Sequence, residues 1–148
     1  MESIRRWWKH LGKGLYPKGR EIFVTADGGG SNGSRNRLWK YCLQEFSDES
    51  GLTIHVSHFP PDTSKWNKIE HRLFNHISMN WKGQPLVSLD VIINLIGNTT
   101  SRTGLKVYAM EDRNTYPIKR KISDEEMEKL NIFRDDNLGK WNYTIKSR

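Results

Sequence analysis

At 148 residues, 35% hydrophobic and 28% charged, the chain is sized for one domain with a modest core. Its 24 Lys and Arg outnumber 17 Asp and Glu, and the formal charge of +7 suits either solubility alone or a polyanionic partner, nucleic acid above all. A lone cysteine, Cys42, excludes an internal disulfide, no apolar run is long enough to span a membrane, and the first residues lack an apolar signal core, so the cytoplasm is the expected compartment.

In chain order, residues 2–11 predict a helix with Ile4, Trp8 and Leu11 on one face. "GKGLYPKGR" reads as a loop. "EIFVTA" is almost continuously apolar, as for a strand buried on both sides. From Ser34 to Ser50, Leu38, Trp39, Cys42, Leu43 and Phe46 form a helical stripe that Gly51 can end. "LTIHVSHF" alternates as a strand. Strand, helix, strand implies a parallel crossover and a mainly parallel sheet. After "PPDTS", Trp66, Ile69, Leu73 and Ile77 mark a second amphipathic helix, capped by Thr63 or Ser64. Leu89, Ile92, Ile93 and Ile96 mark a third, with Ser88 as cap. "LKVYAM" reads as a short strand. Ser123 and Glu126 form a capping box. The tail from Asp135 shows no clear pattern. The fold class is α/β.

"TADGGGSNGSRNRLWK" poses the first question of chemistry. Gly28, Gly30 and Gly33 match the spacing of a dinucleotide-binding turn between strand and helix. Asp27, however, would aim a negative charge at the pyrophosphate, and the expected acid after the next strand is missing. The P-loop pattern fails because Ser34 and Arg35 stand where Lys and Ser/Thr are needed. The competing reading makes Asp27 the active group, at a strand end where α/β sheets place ligands. A third makes it a turn cap beside permissive glycines. Further on, Glu70 falls on or beside the apolar stripe of its helix. It therefore needs a partner such as Lys68 or Arg72, or a metal, unless it sits at the wet edge of the stripe.

The two stretches "TADGGGSNGSRNRLWK" and "HFPPDTSKWNKIEHRLFNHI", in this order, closely resemble Rhodopirellula-type insertion-sequence transposases, of the DDE transposase and integrase class. "PPDTSKWNKIE" is also similar to the Pro-Pro…Asn-Pro-Ile-Glu segment of mariner-like transposases. The resemblance continues through "NWKGQPLVSLDVIINLI", "TGLKVYAMED", "ISDEEMEKLNI" and "GKWNYTI", nearly the whole chain.

It implies an RNase H-like core in which three acids hold two Mg²⁺ or Mn²⁺ ions for in-line attack on a DNA phosphodiester. Asp27 matches the family's second acid and Glu70 its last. The first acid of the family lies on an earlier strand, upstream of a helix like "ESIRRWW", and this sequence shows no such strand. The resemblance therefore implies the C-terminal portion of the catalytic domain: one domain over residues 1–148, an incomplete strand-helix-strand-helix core with additional C-terminal helices. The implied partner is DNA at insertion-sequence ends, with self-association or pairing with a full-length transposase. Arg35, Arg37, Lys65, Lys68 and Arg72 flank the two motifs and are candidates for phosphate contacts, or solvated helix faces. His55, His58, His71 and His76 fit no tight zinc spacing. Trp66 and Trp81 read as core, and Asp62 as a turn acid. Three functions compete: a strand-transferase fragment, a non-catalytic DNA-binding or regulatory remnant, and a nucleotide-binding enzyme.

Overall fold

The computed structural model describes residues 1–60, 63–116 and 120–148. Asp62 lies outside the described residues, as does the side chain of Ser64. The chain divides into two compact units, Met1–Ser64 with Ile118–Arg148, and Lys65–Pro117.

The first unit holds one four-stranded sheet in the order β1-β2-β4-β3, with β1 Glu21–Ala26, β2 Thr53–His58, β3 Ile132–Arg134 and β4 Asn142–Ile145. β1 and β2 are parallel, from Glu21 opposite Thr53 to Ala26 opposite His58. The helix between them, α3 (Arg37–Ser50), makes the expected crossover. Its Asn36 side chain accepts from the Trp39 N–H, and Gly51 ends it at φ 71°, where a Cβ would be strained. The α3 stripe buries Trp39, Leu43 and Phe46 against Leu52, Ile54, Val56, Tyr143 and Ile145. The capping box of α6 (Asp124–Glu128) forms as read, through Ser123 and Glu126.

The patternless tail supplies β4, which lies between β2 and β3 and runs antiparallel to both. The sheet is thus not mainly parallel: only β1 with β2 is. "EIFVTA" is not buried on both sides either. Glu21, Phe23 and Thr25 are exposed, Phe23 at 66%, because the core lies on one face and β1 is an edge strand among the described residues.

The N-terminal helix runs further than the expected loop allows. α1 (Glu2–Trp7) continues through a π-helical turn, Trp8–Gly12, into α2 (Lys13–Leu15). Met1, Ile4 and Trp8 pack on the core of the first unit. Gly12 lies beneath two indoles: a Cβ there would meet Trp8 at 2.6 Å and Trp7 at 3.0 Å. Gly12→Ala is expected to destabilise the first unit by about 1–3 kcal/mol, the usual scale of overpacking. An unchanged urea midpoint would show that the rings simply swing aside.

In the second unit, a π-helical turn, Glu70–Phe74, leads into α4 (Asn75–Trp81), which packs on α5 (Leu89–Gly97). Ser88 caps α5 by accepting from the Val91 N–H at 3.3 Å. The Thr63 hydroxyl donates to the Pro60 carbonyl at 2.6 Å. "LKVYAM" is not a strand: the sheet lies wholly in the first unit, and Lys106, Tyr108 and Met110 are exposed. Trp66 is 55% exposed, so it is not core, and Ile77 is the buried member of its stripe. No helix among the described residues is long and apolar enough to cross a membrane.

Candidate functional site

β1 ends on buried Ala26, and the next residue, Asp27, is exposed. Because Ala26 stands opposite His58, Asp27 lies at the shared carboxyl end of two parallel strands. The Phe59 N–H donates to the Ala26 carbonyl at 2.7 Å, so the second motif begins beside Asp27. The glycines let the two stretches close together. A Cβ at Gly28 would lie 3.3 Å from the Phe59 carbonyl oxygen, and one at Gly33 only 3.1 Å from that of Gly28. The loop is folded onto itself, and α3 starts at Arg37 rather than at Gly33. A dinucleotide turn would instead run directly into the helix N-terminus. Beside the loop lies a cleft of about 460 Å³, bordered by Gly28, Arg35, His58, Phe59 and Trp141.

Under Asp27 runs a buried polar chain. The Trp39 indole donates to the Tyr143 hydroxyl at 3.0 Å. That hydroxyl has one proton, and it is 3.0 Å from His58 Nε2. His58 Nδ1 is 3.3 Å from the Asp27 carbonyl oxygen. A carbonyl only accepts, so Nδ1 carries the proton and Nε2 accepts from Tyr143. The neutral imidazole thus fastens the backbone of Asp27 from below and leaves its carboxylate facing out. Lys40, 6% exposed, donates to the Ser34 carbonyl at 2.6 Å and holds the glycine loop from the other side.

Burial governs the electrostatics here. It lowers the pKa of His58, with Lys40 adding to the effect against the opposing pull of Asp27. It lowers that of Lys40, helped by Arg134 and Arg37, and raises that of Tyr143 to about 12. A histidine with a depressed folded pKa binds its proton more readily when unfolded. Stability should therefore fall as the pH drops below the unfolded value of 6.5, and level off once the pH passes the depressed folded value. His58→Gln should flatten this part of the melting temperature against pH. Parallel curves for wild type and variant would exclude His58 as the source.

The other expected site residues separate. Arg35 is exposed at the cleft and forms no ion pair among the described residues. Arg37 is engaged: it pairs with Asp124 at 2.6 Å and donates to the Ile122 carbonyl at 3.2 Å. Lys65, Lys68, Glu70 and Arg72 belong to the second unit and are exposed. Glu70 opens the π-helical turn, and its carboxylate pairs with neither Lys68 nor Arg72. Being exposed, it does not need the partner that a buried position would demand.

Asp27 and Glu70 offer the oxygen donors that Mg²⁺ and Mn²⁺ prefer. Yet no three His, Cys, Asp or Glu side chains come together among the described residues. The donor type fits a divalent ion and the donor number does not.

His58 had a readable signal, since it follows Ile54 and Val56 on the inward face of β2. Lys40 and Tyr143 had none, because only the packing of α3 against β4 brings them under the loop.

The family model for the Rhodopirellula transposase DDE domain matches residues 1–147. No curated protein and no solved structure matches the chain.

Proposed function

The chain belongs to the Rhodopirellula transposase DDE-domain family, and from that membership we propose that it takes part in metal-dependent cleavage and joining of DNA, with Asp27 and Glu70 as its acidic ligands. The observation that carries this reading is the position of Asp27. Among the described residues it is an unpaired carboxylate at the carboxyl end of two parallel strands, held by its backbone and exposed next to Gly28, which borders the cleft. Bound Mg²⁺ or Mn²⁺ would supply Lewis acidity at the attacked phosphodiester. What this chain adds is charge and orientation: two carboxylates to hold cations, and Arg35, Lys65, Lys68 and Arg72 to meet DNA phosphates.

Two carboxylates are too few for two divalent ions. A third has to come from a further acidic strand, in an RNase H-like core for which the free edge of β1 leaves room, or from another chain. The shortage of acidic ligands among the described residues favours a second reading as well, a non-catalytic DNA-binding or regulatory member that pairs with a complete transposase.

A nicking and strand-transfer assay on inverted-repeat DNA separates the two. It is run with Mg²⁺ and with Mn²⁺, on the chain alone, on the chain extended by an acidic family strand, and on its mixture with a full-length family member. Activity on extension supports the catalytic reading. Inhibition of the full-length enzyme, with no activity on extension, supports the regulatory one.

A further inference from the structure

The positive charge of this chain is concentrated in one place. Six of its 24 Lys and Arg fall within residues 3–20, which contain no Asp or Glu, so this stretch carries +6 of the formal +7. In the rest of the chain 18 bases face 17 acids. The two motif stretches that hold Asp27 and Glu70 carry +2 and +1, together half of what this one stretch carries.

The fold turns this stretch into a lined cleft. Lys9 and Lys13, four residues apart, share one face of the N-terminal helix. The turn in which the Gly19 N–H donates to the Tyr16 carbonyl, at 2.9 Å, brings Arg20 back beside them. Lys9, Lys13 and Arg20 border a cleft of about 220 Å³ whose wall includes Trp8 and Phe46. Its one acid, Glu49, is held by Arg5 at 2.9 Å. Lys9, Lys13, Lys18 and Arg20 take part in no ion pair among the described residues. The neighbouring Arg5 is paired twice, with Glu2 and with Glu49.

The cleft lies at the amino-terminal end of β1 and β2, with Arg20 just before one strand and Ser50 just before the other. Asp27 lies at the opposite end of β1, roughly 20 Å away at about 3.3 Å per extended residue.

We propose that the Lys9, Lys13 and Arg20 cleft is a second site for the phosphodiester backbone of DNA, remote from Asp27. The identity of the polyanion rests on the DNA reading above; the site itself rests on the charge distribution. Three cations without fixed partners displace condensed counterions from DNA and read charge rather than sequence. A duplex held there is contacted well away from the acidic residue, so affinity and chemistry are carried by different surfaces of one unit.

The test uses the full chain and a random-sequence duplex, titrated by fluorescence anisotropy from 50 to 200 mM salt. EDTA is present, so the outcome is independent of any metal chemistry. Lys9→Gln, Lys13→Gln and Arg20→Gln are combined in one variant; all three side chains are exposed, and circular dichroism checks that the fold is kept. Removing three phosphate contacts should lower the slope of log K against log salt by about 2.7, at about 0.9 per contact on duplex DNA. The variant Lys9→Arg, Lys13→Arg, Arg20→Lys should keep the slope, and Asp27→Asn should not reduce it. An unchanged slope in the triple Gln variant would overturn the proposal. So would wild-type binding to phosphatidylserine vesicles with none to DNA, which would assign the patch to a membrane surface.

Discussion

Asp27→Asn should lower metal-dependent cleavage and joining of DNA by roughly a thousandfold, the scale on which one removed charge-stabilising group acts at a transition state. Glu70→Gln should do the same. Asn keeps the size and shape of Asp and removes only the negative charge. Among the described residues nothing structural is tied to the carboxylate: the buried chain from Trp39 through Tyr143 and His58 ends on the backbone carbonyl of Asp27, which Asn retains. Thermal unfolding of Asp27→Asn should therefore match wild type while activity is lost. Arg37→Ala is the contrasting control. Its guanidinium is tied to Asp124 and the Ile122 carbonyl, so the change should touch stability and leave the chemical step alone. The measurement requires a preparation that supplies the third carboxylate, because the chain alone should be silent. Wild-type rates in Asp27→Asn would end its assignment as a ligand. Cleavage by the chain alone, lost on Glu70→Gln, would remove the need for a third acid.

Ile145→Ala should destabilise the first unit by about 2–5 kcal/mol, the range for truncating a fully buried aliphatic side chain. Set against the 5–15 kcal/mol by which domains are usually stable, this is enough to lower the melting temperature by about 10 °C or more. Ile145 has no exposed surface, and its strand position lies opposite both Ile54 and Ile132. The cavity would open in the middle of the sheet, where the neighbouring strands cannot close in without losing register. Thr144 points to the other face, where its hydroxyl meets His55 at 3.0 Å. Thr144→Ala should therefore cost about 1 kcal/mol or less. Urea midpoints of the two variants decide the matter. Equal losses would mean that β4 is not packed as a core strand.

Much of the local structure was legible along the chain, because short-range patterns dictate it. The α3 stripe, the αL cap at Gly51, the alternation of β2, the Ser88 cap and the Ser123–Glu126 box all depend on residues within a few positions of each other. The two acidic motifs and the family to which they belong were legible for the same reason: each motif is a local string, and the family model spans residues 1–147.

What depends on distant residues was not. Trp141, Tyr143 and Ile145 alternate as a strand should, but the run is short, and only pairing with β2 and β3 stabilises it. "EIFVTA" and "LKVYAM" look equally strand-like. The first has β2 to pair with, and the second has no strand in its own unit among the described residues. The tautomer of His58 follows from groups 31 to 104 positions apart meeting under one loop. Sequence thus determined which groups can act. Tertiary packing decided how Asp27 is held and how Arg20 comes to lie beside Lys9 and Lys13, because a hydrogen bond or a shared cleft depends on distance in space and not along the chain.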